Sequence, residues 1–137
     1  MGLGLFMVGV IVEEMPRAVE FYRRLGLEVP EGSEALEHVE VKMGELTFFL
    51  GTTRSNALWD PAGRAPAQGG YRIILEFNLE TAQALDAKYA ELTGYGYASH
   101  CAPFDVTSET RFAMIDDVDG NTILLSSATA PGAAGQP

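Results

Sequence analysis

The chain reads as an α+β protein built from two βαβββ modules, and two stretches predict this. Residues 7–26, MVGVIVEEMPRAVEFYRRLG, run from a β-branched apolar segment through an acidic break into a helical period that stops at Gly26. Residues 71–96, YRIILEFNLETAQALDAKYAELTGYG, repeat that order. Glu14 and Glu80 hold equivalent places 66 residues apart in a chain of 137. Each helix is followed by further strand-like segments, so an internal duplication explains the pattern better than coincidence.

The elements follow in order. Met7 to Val12 has the length and composition of a strand. From Pro16 to Leu25, the residues Ala18, Val19, Phe21, Tyr22 and Leu25 fall on one face of a helix. Proline suits its first turn and Gly26 its end. Glu37 to Met43 alternates, with Val39, Val41 and Met43 on one face and His38, Glu40 and Lys42 on the other. A turn at Gly44 leads into a strand from Leu46 to Leu50. The first module thus spans residues 5–52, and residues 53–70 read as an aperiodic linker loop holding Trp59, the only tryptophan.

The second module spans residues 71–127. Thr81 caps its helix, whose stripe is Ala82, Leu85, Tyr89 and Leu92. Tyr95 to His100 reads as a strand and Cys101 to Glu109 as a loop. Arg111 to Ile115, a turn at Asp119-Gly120, and Asn121 to Ser126 complete it. Residues 128–137 are small and Pro/Gly-rich, which predicts a disordered tail.

Composition narrows the function classes. With 47% apolar residues over 1–137, the chain reads as a single globular domain made of the two modules. A net charge of −10 argues against nucleic acid and anionic membrane as partners. No apolar run reaches the length of a span, and no basic region precedes MGLGLFMVGVIV, so neither membrane span nor signal peptide is expected. The lone Cys101 fits a reducing, cytoplasmic setting.

The stretches VIVEEMPRAVEFYRRLG and DDVDGNTILL resemble the two signatures of the vicinal oxygen chelate superfamily, which includes glyoxalase I, extradiol dioxygenases and bleomycin-resistance proteins. The resemblance covers residues 5–127. It implies that the βαβββ modules form a curved mixed sheet around a cleft, commonly in a homodimer. Catalytic relatives hold a divalent metal there on His, Gln or Glu side chains. Carried onto this chain, the first ligand position is Met7, the second lies in Phe48 to Gly51, the third in Tyr71 to Ile74, and the last is Leu124. None of these residues is an imidazole, amide or carboxylate donor. The reading is therefore no metal, no cofactor and no catalytic residue, with enzymatic activity left open but not favoured.

Other reactive side chains do not form a convincing centre. His38 and His100 read as surface or hydrogen-bonded residues rather than bases. Cys101 follows His100 directly, and neighbours on an extended strand point apart. Glu76, inside ILEFNL, reads as an outward-facing strand residue.

The chain also resembles metal-free antibiotic-binding members of the mitomycin-binding kind. The shared features are Asp60-Pro61, Ala65-Pro66 and Gly69-Gly70, the KYAEL of Lys88 to Leu92, and Gly96, Tyr97, His100, Pro103 and Phe104. It has fewer aromatic residues after Pro103 than they do, so mitomycin itself is not named as the ligand. The resemblance implies metal-independent sequestration of a small, flat, partly apolar antibiotic or metabolite, giving resistance or self-protection. Met7 and Ile11, with Gly9 between them, and Leu124, with Thr122 and Ser126, would form the floor. Trp59, Phe104 and His38 would supply walls. The alternatives are a divergent glyoxalase-like lyase or dioxygenase-fold enzyme, and a dimer with no ligand whose cleft is filled by its own side chains.

Overall fold

The computed structural model describes residue 3, residues 5–65 and residues 73–129. The chain divides into two compact units, Met1–Gln68 and Gly69–Pro137. The architecture is mixed α+β, with a three-stranded sheet in the first unit and a four-stranded sheet in the second, neither closed into a barrel.

In the first unit the order is β1 (Met7–Val12), α1 (Met15–Leu25), β2 (His38–Met43), β3 (Leu46–Thr52) and α2 (Thr53–Trp59). The sheet runs β1-β3-β2, with β1 parallel and β2 antiparallel to β3. Helix α1 buries Ala18, Val19, Phe21, Tyr22 and Leu25, the stripe that the sequence predicts. Opposite them lie the buried Val10, Val12, Val39, Val41, Phe48 and Leu50. Tyr22 and Phe48 meet ring to ring, with centroids 5.5 Å apart. Gly26 ends α1 at φ +128°, and the amides of Gly26 and Leu27 both donate to the Tyr22 carbonyl.

Two features of this unit depart from the sequence reading. Residues 53–59 of the expected linker are helical. Thr52 caps that helix by accepting from the Ser55 amide at 3.1 Å, yet α2 buries no residue, so no apolar stripe announced it. The unit also has three strands among the described residues, not four. Its residues 27–36 occupy the place in sequence that a strand holds in the second unit. Arg23 explains the loss. Its guanidinium donates to the carbonyls of Val29 and Pro30 and pairs with Glu34 at 2.6 Å. Pro30 has no amide to give, and Ser33 to Ala35 close into a 3-10 turn. Backbone groups that a ladder would have used are thus satisfied locally.

The second unit contains β4 (Leu75–Asn78), α3 (Ala82–Gly94), β5 (Ser99–Asp105), β6 (Thr110–Asp116) and β7 (Thr122–Ala128), in sheet order β4-β7-β6-β5. Thr81 caps α3 as expected, accepting from the Ala84 amide at 3.0 Å. Strand β5 starts later than the predicted Tyr95–His100 and runs through Pro103. Tyr95 and Gly96 still belong to the helix end, with Gly96 at φ +101°. Pro103 is tolerated because β5 is an edge strand with irregular register on both sides of Cys101. The predicted tail falls largely on residues 130–137, outside the described residues, while Ala128 closes β7.

Asp117 shows why the DDVDGN turn needs its acids. It is 6% exposed, and its carboxylate accepts from the amides of Asp119 and Asn121 and from the Asn121 side chain at 2.8–3.0 Å. Glu37 does comparable work at the surface of the first unit. It accepts from the Thr52 hydroxyl at 2.5 Å and pairs with Arg54 at 3.2 Å, joining the start of β2 to the start of α2. The Thr52 hydrogen bond, then Arg54, hold its carboxyl below the ordinary 4.5.

Two outcomes are expected. Asp117→Ala lowers unfolding free energy by about 2–3 kcal/mol in urea titrations, since charge-assisted bonds to buried amides are lost. Because Glu37 is the stronger acid when folded, its contribution is complete above its unfolded pKa and disappears as pH falls through the folded value. Melting temperature followed from about pH 5 to about pH 3 falls less steeply in Glu37→Gln than in the parent.

Candidate functional site

Each sheet has one face covered by a helix, and strand alternation sends every second residue to the other, open face. In the first unit the register assigns Met7, Gly9 and Ile11 of β1, Thr47, Phe49 and Gly51 of β3, and His38, Glu40 and Lys42 of β2 to that face. Met7, Gly9, Ile11 and His38 therefore share a face, as the sequence predicts. Ile11 is 38% exposed, although it is a large apolar residue.

The residue that organises this face is Phe49, which sequence reasoning missed. It sits within TFFLGT, a continuous apolar run with no alternation to tell its faces apart. Phe49 is the register partner of Gly9, and its ring lies across that glycine. A Cβ placed on Gly9 would come 2.0 Å from Phe49 Cζ. The His38 ring stands 5.0 Å from the Phe49 ring, tilted by 32°. Glu40 Oε2 lies 3.1 Å from His38 Nε2. Lys42 is engaged by the Thr47 hydroxyl at 3.2 Å. The result is an aromatic–imidazole platform bordered by one carboxylate. The signal in the sequence was the glycine within an otherwise β-branched strand, which marks a close approach.

In the second unit the open face is built in two lateral rows. Glu76, Leu124 and Met114 lie side by side across β4, β7 and β6, followed by Cys101 on β5. Asn78, Ser126, Phe112 and Phe104 form the next row. Leu124 brings Thr122 and Ser126 to its side, as expected. Asn78 Nδ2 donates to the Ser126 hydroxyl at 3.2 Å, which fixes the amide against the floor. Phe104 is 41% exposed. Arg111 belongs to the opposite, helix-covered face, where it pairs with Asp86 at 2.9 Å and Asp105 at 2.9 Å. Trp59 ends α2 in the first unit and is 65% exposed.

The metal positions implied by the resemblance can be tested on donor chemistry. Met7 offers a thioether, Phe49 a hydrocarbon ring and Leu124 an alkyl chain. These do not fit a hard or borderline divalent ion. Tyr71 and Arg72, in the window for the third position, lie outside the described residues, and Ile73 and Ile74 carry no donor. Among the described residues, no three His, Cys, Asp or Glu side chains converge as a cation site. Among those residues, no helix is long and apolar enough to cross a membrane.

Gly9→Val forces the Phe49 ring off β1. Denaturant unfolding then shows a loss of about 1–3 kcal/mol, and the His38 ring protons lose their ring-current shift in NMR spectra. In a Phe49→Ala background the same substitution costs much less, the signature of a coupled pair.

Comparison with known proteins agrees with the fold. The family model for the glyoxalase/bleomycin resistance protein/dioxygenase superfamily matches residues 4–125. No functionally curated protein matches the chain. Among solved structures, a family enzyme from Burkholderia phytofirmans PsJN superposes with a TM-score of 0.76 at 17% identity, covering 91% of this chain and 98% of that one. A superfamily member from Sphaerobacter thermophilus gives 0.66 at 24% identity, with 91% and 97% covered. A lactoylglutathione lyase from Agrobacterium tumefaciens gives 0.63 at 15% identity, with 90% and 92% covered. At these identities the likeness extends to the fold alone. Matched across nearly its whole length and carrying both signature stretches, the chain belongs to the glyoxalase/bleomycin resistance protein/dioxygenase superfamily.

Proposed function

We propose that the protein binds a small, flat, partly apolar antibiotic or metabolite without a metal, protecting its host by sequestration. The observation that carries this reading is the platform on the first sheet. Within the window Phe48 to Gly51, where the superfamily resemblance calls for a metal donor, the Phe49 ring instead lies across Gly9 with His38 beside it. Such a surface suits stacking, and stacked rings contribute affinity beyond area burial. The second sheet has an apolar face of its own, carrying Leu124, Met114, Phe112 and Phe104. A homodimer is part of the proposal. The outer edge of β2 has no partner strand among the described residues, and pairing between copies would satisfy its free backbone groups.

A second reading, metal-independent catalysis, draws on the His38–Glu40 pair, since a carboxylate that orients an imidazole is a common arrangement for proton transfer.

A thermal-shift screen against planar cytotoxic natural products separates the two. A true ligand at about 100 times its Kd adds about 2.7 kcal/mol of stability, undiminished by chelator. Phe49→Ala weakens that binding by about 1 kcal/mol or more, and Trp59→Ala does likewise if the indole closes on the ligand. Ligand recovered after long incubation is chemically unchanged. Turnover lost in His38→Ala would establish the enzyme instead.

A further inference from the structure

Glu76 is out of keeping with its surroundings. It stands on the open face of the second sheet with Leu124 as its register partner, and it has no hydrogen bond or ion pair among the described residues. Its row continues through Met114 to Cys101, and the next row holds Asn78, Ser126, Phe112 and Phe104. In these two rows Glu76 is the only charged side chain. Asp116, the register partner of Thr122 and so on the same face, already accepts from the Thr122 hydroxyl at 2.7 Å. Arg111, the one arginine or lysine on these four strands, is spent on the far face between Asp86 and Asp105.

The duplication sharpens the contrast. Helices α1 and α3 begin 67 residues apart, at Met15 and Ala82, and this offset matches Gly9 with Glu76. Likewise Phe49, partner of Gly9, matches Leu124, partner of Glu76. In the first unit a ring fills the space over the glycine. In the second, a carboxylate stands at the equivalent position beside a smaller side chain.

Resting on the binding reading above, we infer that this face takes a flat ligand carrying a cationic amine or amidinium group at one end, which Glu76 holds. Four strands span about 14 Å at about 4.8 Å per spacing, enough for a fused ring system lying along Leu124, Met114, Phe112 and Phe104. Asn78, braced by Ser126, adds an amide oxygen beside the carboxylate as a second acceptor. A neutral ligand would leave the carboxylate uncompensated as the apolar body displaced its water, whereas a cation exchanges hydration for a charge-assisted bond. Anionic ligands are disfavoured by the same group and by the net charge of −10.

A matched pair of probes tests this with the full-length protein. At neutral pH 9-aminoacridine is a cation and acridine is neutral, with nearly the same ring outline. Calorimetry in low salt is expected to show the cation binding about tenfold more tightly, with the difference shrinking as salt is added. Glu76→Gln removes the preference while affinity for acridine stays within about twofold. Glu31→Gln, a charge loss on an exposed turn of the other unit, keeps it. Phe104→Ala weakens both probes, which places them on this face. A preference that survives Glu76→Gln overturns the inference. Equal binding of both probes overturns the cation assignment and leaves this face as an apolar surface for stacking. Binding of neither overturns both.

Discussion

A single helix can cover only one face of a sheet, and each sheet in this protein has one long helix, α1 or α3, packed across one face. Strand alternation then divides the residues into two populations under different constraints. Positions facing the helix are fixed by packing, from Val10, Val12, Val39 and Leu50 in the first unit to Ile115, Ile123 and Leu125 in the second. Positions on the other face meet no such helix, and their packing is with one another, as Phe49 over Gly9 and the buried Thr47, Leu124 and Ser126 show. The same scaffold can present metal donors in one relative and a hydrocarbon floor in another, because exchanging side chains on the open face leaves the packed layer untouched. Met7, Phe49 and Leu124 are on this freer side, which is why losing coordination chemistry there need not disturb the fold.

How legible these populations were depended on the strand. In β2 the apolar and charged residues alternate, so the face holding His38, Glu40 and Lys42 followed from the sequence alone. In β3 the run Thr47 to Leu50 gives no such contrast, and only pairing with β1 shows Phe49 over Gly9. The α1 stripe, the Ala82, Leu85 and Leu92 of the α3 stripe, and the glycine stop at Gly26 were readable because each is a local pattern with one physical cause. Helix α2 was not, since it buries nothing and leaves only a Thr cap as its mark. Strand β5 was hidden by Pro103, which argues against a strand except at an edge, and edge position is a property of the assembled sheet. Glu76 was read correctly as outward-facing. That outward here means a largely uncharged face needed the register of all four strands.

Arg23 illustrates how one side chain can revise a module. Its three hydrogen bonds gather residues 29–34 against the end of α1. A guanidinium is suited to this because its planar fork of donors serves two carbonyls and a carboxylate at once. The helix end also welcomes its positive charge, as it does that of Arg24.

The parallel pair at the heart of each sheet also bears on how the chain finds its structure. Met7 must meet Thr47, and Leu75 must meet Ile123, so each pair closes a loop of 40 or 48 residues with the helix inside it. The β2–β3 and β6–β7 hairpins close across short turns and can form on a microsecond scale. Loop entropy therefore sets an order in which the hairpin comes first, the helix settles on it, and the opening strand docks last. The strand that carries Gly9 or Glu76 is then the final one placed. In each unit the open face is completed only when folding itself is complete.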